Sequence, residues 1–179
     1  KPNEKYPQDK INEINKKLGD LAQIKASYDA LIAQADALFT QKSYLDSKTT
    51  YQKALTIFPK ETYPPQRIAE IDAILKALAE TDASYLALIE KADRYFKETK
   101  WDMALTAYES ALDIKPLETY PQNQIQLCKD KLGQAAALRA QYDALILAAD
   151  GLFNSKSYAE SKGKYQQALA MFPQEAYPA

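Results

Sequence analysis

The chain has 179 residues, 46% of them hydrophobic and 26% charged, with a net charge of −1, thirteen Tyr, one Cys and no His. Balanced, interspersed charge argues against a nucleic-acid or polyanion partner, and the missing His excludes imidazole metal ligands and Ser-His-Asp or Cys-His dyads. The longest wholly apolar run, Ala144 to Ala149, is far short of the ~20 residues a membrane helix needs, so direct membrane insertion is not expected.

Along the chain, Tyr-Pro occurs at Tyr6, Tyr63, Tyr120 and Tyr177, 57 residues apart each time. Residues 6–62, 63–119 and 120–176 superpose without a gap, and 18 columns are identical in all three copies. In the first copy these include Tyr6, Pro7, Ile11, Leu18, Tyr28, Ile32, Ala35, Asp36, Phe39, Tyr51, Ala54, Pro59 and Glu61. Three repeats are therefore expected, with 177–179 opening a further one. The first residue is not Met and the last three start a new unit, so the chain reads as a window cut from a longer array.

Each repeat opens with a long helical seam. Ile11, Ile14, Leu18, Leu21, Lys25, Tyr28, Ile32, Ala35 and Phe39 alternate at intervals of three and four. Ile68, Ile71, Leu75, Leu78, Asp82, Tyr85, Ile89, Ala92 and Phe96 repeat the pattern, as do Ile125, Cys128, Leu132, Ala135, Arg139, Tyr142, Ile146, Ala149 and Phe153. No Pro interrupts the seam, which predicts one helix of about 34 residues, roughly 50 Å long. Pro64 or Pro65 suits its first turn. A shorter helix follows, with box-like caps at Ser43/Asp46, Thr99/Asp102 and Ser157/Glu160, and Pro59, Pro116 and Pro173 end it. Nothing alternates with a period of two for long enough to make a strand. The expected class is all-α.

Residues 28–61, 85–118 and 142–175 resemble tetratricopeptide repeats, a family of helical hairpins. The resemblance rests on small Ala35, Ala92 and Ala149 in the first helix, and on aromatic Tyr44, Trp101 and Tyr158 opening the second. It continues with Ser47, Ala104 and Ser161, then Tyr51, Tyr108 and Tyr165, then Ala54, Ala111 and Ala168, and the terminating Pro. Two features depart from the family. Its turn glycine is replaced by Lys42, Thr99 and Lys156, and 23 further helical residues precede each hairpin. The resemblance implies an α-solenoid. The extra residues suggest a staggered rod, in which the front half of the next long helix (Ile68 to Leu78) packs on the preceding hairpin. The alternative is side-by-side stacking of parallel front halves. Lys25, Asp82 and Arg139, which interrupt the seams, would sit where the helix passes between bundles.

Few residues invite chemistry, and no catalytic residue, metal site or cofactor is expected. Cys128 shares a column with Ile14 and Ile71 and reads as a buried thiol. Gly19, Gly133, Gly151 and Gly163 form no phosphate-binding pattern. Twelve of the thirteen Tyr fall in repeat columns and read as packing. Glu61, Glu118 and Glu175 recur beside the linkers, where helix capping would account for them.

Asp36, Asp93 and Asp150 are the one polar side chain kept in all three long helices, although Asp is a mediocre helix former. An antiparallel hairpin places Tyr51 opposite Asp36, so a carboxylate–phenol pair is expected. The family resemblance instead implies a concave ligand face. It would comprise Asp29, Ile32, Asp36, Phe39 and Thr40, then Leu86, Ile89, Asp93, Phe96 and Lys97, then Asp143, Ile146, Asp150, Phe153 and Asn154. The polar partner-binding candidates are Asp29, Asp36, Thr40, Asp93, Lys97, Asp143, Asp150 and Asn154. That acidic face suits a basic or amphipathic segment better than an acidic peptide tail.

These features point to a non-enzymatic protein-interaction scaffold, with a protein or peptide as partner. The alternative is a structural spacer rod between flanking domains of a longer protein. Tyr-Pro-linked units are similar to arrays in bacterial envelope-associated proteins, which would favour the periplasm or cell envelope over the cytoplasm.

Overall fold

The computed structural model describes residues 5–175. Six α-helices follow one another: α1 (Lys5–Thr40), α2 (Tyr44–Ile57), α3 (Tyr63–Lys97), α4 (Trp101–Ile114), α5 (Thr119–Asn154) and α6 (Tyr158–Met171). The fold is all-α, with no strand among the described residues. The long helices have 36, 35 and 36 residues and the short ones 14 each, so every seam is one continuous helix. The start of a further repeat at 177–179 lies outside the described residues.

The hairpin turns explain the missing glycine. Lys42, Thr99 and Lys156 adopt φ of 61°, 59° and 64°. In the first turn the Lys42 N–H reaches the Phe39 carbonyl at 2.9 Å, and the Ser43 N–H reaches Leu38 at 2.9 Å. This is a Schellman closure, repeated by Thr99 and Lys100 and by Lys156 and Ser157. The left-handed residue is normally Gly because a Cβ is strained there. Here three side-chain-bearing residues carry that strain.

The expected capping boxes do not form. Ser43 and Ser157 are N-caps, but the middle one is Lys100 rather than Thr99, and none makes a side-chain cap bond. The same residue closes the preceding long helix through its own N–H, and its ψ lies near 60°. A capping side chain needs extended backbone to aim at the N–H groups ahead of it. At the other end, the cap N–H groups of Phe58, Lys115 and Phe172 bond to Ala54, Ala111 and Ala168, with Pro immediately following.

Residues up to Thr81 make one compact unit and those from Asp82 a second, so the boundary falls inside the α3 sequence. In the first unit, Ala35 of α1, Tyr51 of α2 and Ile71 of α3 form the buried core. Ile32, Phe39, Tyr44, Ile68 and Leu75 pack around them. In the second, Ala92 of α3, Ala104, Ala107 and Tyr108 of α4, and Cys128 of α5 are buried together, flanked by Ile89, Phe96 and Ile125. In both, the front half of a long helix lies on the preceding hairpin. The buried part of that seam is shorter than expected, because Leu78 is exposed. Within the second unit, the back half of α5 forms a further hairpin with α6.

Small residues allow the hairpin helices to approach closely. Ala35, Ala92 and Ala149 are fully buried. The Ser47 hydroxyl donates to the Ala35 carbonyl at 2.8 Å and Ser161 to Ala149 at 2.9 Å, while Ala104 fills the same place with no bond to satisfy.

Of the three strained turn residues, Thr99 is the β-branched one and the worst suited to its φ. Thr99→Gly is expected to stabilise the second unit by about 1 kcal/mol, read as a higher urea midpoint at unchanged slope. An unchanged or lower midpoint would refute the strain account.

Candidate functional site

The three retained aspartates sit on the back halves of the long helices, half-buried, facing the short helix. The Tyr51 hydroxyl donates to Asp36 Oδ1, Tyr108 to Asp93 Oδ1 and Tyr165 to Asp150 Oδ1, which is the carboxylate–phenol pair expected from the hairpin. A second phenol joins it. Tyr63, the Tyr of the next Tyr-Pro, donates to Asp36 Oδ1 at 2.7 Å, and Tyr120 does the same to Asp93 at 2.7 Å. The two rings meet edge to face, with centroids 6.1 Å apart for Tyr51–Tyr63 and 6.2 Å for Tyr108–Tyr120. One carboxylate thus ties together a long helix, its short partner and the start of the next long helix.

The electrostatics keep these protons on the phenols. Burial first, and the Asp36 bond next, hold the Tyr51 hydroxyl well above the usual phenol range, although the Arg67 guanidinium 3.3 Å away pulls the other way. Tyr108 is raised by burial and then by Asp93. Tyr63 is raised chiefly by its Asp36 bond, and Tyr120 by burial and then Asp93. Such groups donate hydrogen bonds and resist becoming nucleophiles or bases.

A scan of known protein families finds none that matches the chain, and a search of curated proteins finds no match either.

The remaining candidate residues are placed as follows. Asp29 pairs with Lys25 at 2.8 Å, one helical turn away, and Asp143 with Arg139 at 3.2 Å. Thr40 donates to the Asp36 carbonyl of its own helix at 3.0 Å. Lys97 and Asn154 are exposed at the last residues of α3 and α5. The structure gathers Asp36 and Asp93 each with its own pair of phenols, and no ligand-facing cluster joins the eight residues. Cys128 is fully buried, and burial raises its thiol. Among the described residues, no group of Cys, Asp and Glu is arranged to hold a metal ion. No helix of the described chain is long and apolar enough to cross a membrane.

The sequence reading missed a clasp at the end of each short helix. Tyr28 meets Phe58 edge to face at 5.1 Å, and Tyr142 meets Phe172 at 5.2 Å. The middle copy has Lys115 in the Phe column, and its ammonium lies 4.9 Å from the Tyr85 ring centroid. The seam residue changes sign with it. Asp82 replaces the basic Lys25 and Arg139, and pairs with Lys115 at 2.7 Å. In the third copy Arg139 instead reaches Glu175 at 2.6 Å. Asp82 and Arg139 therefore fasten their long helices to the end of the following short helix and its linker, whereas Lys25 pairs with Asp29 of its own helix. Correspondingly, Glu175 is an ion-pair partner and Glu118 an N-cap without a side-chain bond, so helix capping does not explain the Glu column.

An open apolar groove lies on the α5–α6 hairpin. It measures about 410 Å³ and is lined by Tyr142, Ile146, Phe153, Tyr165, Ala168 and Leu169, with Glu175 at its edge.

Two mutational outcomes follow. Asp93→Asn keeps an acceptor for both phenols and should cost about 1 kcal/mol. Asp93→Ala strands the buried Tyr108 hydroxyl and should cost about 3 kcal/mol in denaturant unfolding. Equal losses would mean that the phenols do not depend on Asp93. In the middle clasp, Asp82→Lys sets two cations against each other and should lower the urea midpoint of the second unit. Adding Lys115→Phe recreates the arrangement of the other copies and should restore most of it. A double-mutant cycle showing simple additivity would break the proposed coupling.

Proposed function

We propose that this chain is a non-enzymatic, tetratricopeptide-like repeat segment that acts as a structural spacer within a larger protein. The observation that carries the reading is the sharing of one aspartate by two phenols from two helices. In the first two repeats the retained aspartate, Asp36 or Asp93, is bonded at the joint between its hairpin and the next long helix. A side chain retained for a partner would instead be expected to present its oxygens outward. Repetition of one joint at a 57-residue interval gives a spacing that grows with the number of units. Flanking parts of the same protein are the natural recipients of that spacing, and the bacterial cell envelope is the setting this reading favours.

A second reading, a protein-interaction scaffold, is favoured by the open groove between α5 and α6. An amphipathic helical segment from a protein or peptide would suit its aromatic and aliphatic lining.

The spacer reading is tested with chains of two, three and four units, made by deleting or duplicating residues 63–119 and labelled near both ends. Dipolar spectroscopy should give a distance that increases by an equal step per unit. A distance indifferent to unit number would sink the spacer reading.

A further inference from the structure

The middle hairpin carries a groove that the copies on either side of it do not repeat. Leu88, Lys91 and Tyr95 of α3 face Met103, Ala107 and Ser110 of α4 across about 250 Å³, and no residue of α5 lines it. The α4 side of this floor is uncharged, and Met103 is 48% exposed. The same columns hold Asp46, Thr50 and Lys53 in the first copy and Glu160, Lys164 and Gln167 in the third. Charge has been removed from the floor in the middle copy alone.

Charge has been added beside it. Lys91 and Arg94 are exposed on α3, each 5.9 Å from the centroid of the Tyr95 ring. On α4, Asp102, Glu109 and Asp113 are exposed on the stripe of Thr106, which also lines the groove. The outer copies hold no charge at any of these columns. The α3 pair becomes Gln34 and Ala37, or Ala148 and Gly151. The α4 set becomes Leu45, Gln52 and Thr56, or Ala159, Gln166 and Ala170. Among the described residues, none of the five charged side chains is in an ion pair. The groove thus has an uncharged floor, a basic wall on one helix and an acidic wall on the other.

We propose that the α3–α4 groove pairs with the same groove of a second copy, α3 of each lying against α4 of the other. A surface with walls of opposite sign is complementary to itself in one of its two-fold arrangements. A two-fold axis across the hairpin sets α3 on α3 and α4 on α4, which opposes like charges along both walls. An axis along the hairpin sets α3 on α4 instead. Both helices are in register from the turn at Thr99, so Arg94 then lies within about one turn of Asp102 of the second copy, and Lys91 within about one turn of its Glu109. Met103 and Tyr95 meet between the walls. The contact is isologous and closes at two copies. Charge selects this arrangement by penalising the other. The pairing adds a lateral contact to the spacer reading and does not depend on it.

The test uses the 179-residue chain and variants at exposed positions only, each of which should keep the wild-type helical circular dichroism. Lys91→Glu with Arg94→Glu makes both walls acidic. Asp102→Lys with Glu109→Lys makes both basic. By sedimentation equilibrium from micromolar to submillimolar concentration, the wild type should pass from monomer to dimer and go no further. Each double variant alone should dimerise about tenfold more weakly or worse. Mixed in equal amounts, the two should form a one-to-one dimer, since every opposed wall is then of opposite sign. The chain with all four changes keeps the wild-type net charge and should dimerise as the wild type does. A wild type that stays monomeric, or grows beyond a dimer, overturns the proposal. So does a double variant that self-associates like the wild type, a mixture that yields no dimer, or a fourfold variant that stays monomeric.

Discussion

A single carboxylate accepting from two phenols is the joint on which the units are built. Asp36 reaches Tyr51 within its own hairpin and Tyr63 across the following linker, and Asp93 does the same with Tyr108 and Tyr120. Each bond alone is ordinary. Together they fix the azimuth of three helices, because both donors must converge on one oxygen. Low local dielectric strengthens bonds to a charged acceptor and makes a stranded hydroxyl costly. The joint thus specifies where the next long helix begins, and the Tyr-Pro dipeptide is kept because its Tyr is one of the two donors. Its proline follows the same logic, since Pro64 and Pro121 are fully buried in the first turns of α3 and α5.

Variation between copies is informative because it is compensated. The clasp at the short helix end is Tyr against Phe in the outer copies and Tyr against Lys in the middle one. An ammonium over an aromatic face replaces an edge-to-face ring contact of similar strength. The seam residue then changes from a cation to Asp82, which neutralises the new lysine. Neither change is sensible alone. The same economy appears at the small-residue column, where Ser47 and Ser161 donate back to a helix carbonyl and Ala104 has nothing to donate. The turns are the exception. All three retain a left-handed residue that bears a side chain.

For function, the arrangement moves attention from the aspartates to the hairpin surface. One oxygen of each, Oδ1, accepts from phenols, and those of Tyr51 and Tyr108 are held above their ordinary pKa, which suits a fixed structural bond. Apolar surface that the internal joints bury is displayed at the front of α1 and on the α5–α6 hairpin.

By itself the sequence determined the unit, its 57-residue period, the all-α class and the continuity of each long helix. These are set by local periodicity and by where proline forbids a helix, which a linear reading captures. It also placed Tyr51 opposite Asp36, because antiparallel helices of known pitch fix which columns face each other. Only the tertiary structure decided the second phenol, the Lys115–Asp82 exchange and the failure of the capping boxes. Tyr63 lies 27 residues from Asp36 across a linker whose path no periodicity describes. The cap residue Ser43 takes a ψ of 63° rather than an extended one, and the pairing of Glu175 with Arg139 spans 36 residues. Contacts closed by the folding of a linker are invisible to spacing alone. In this chain those contacts set how a hairpin meets the start of the long helix that follows it.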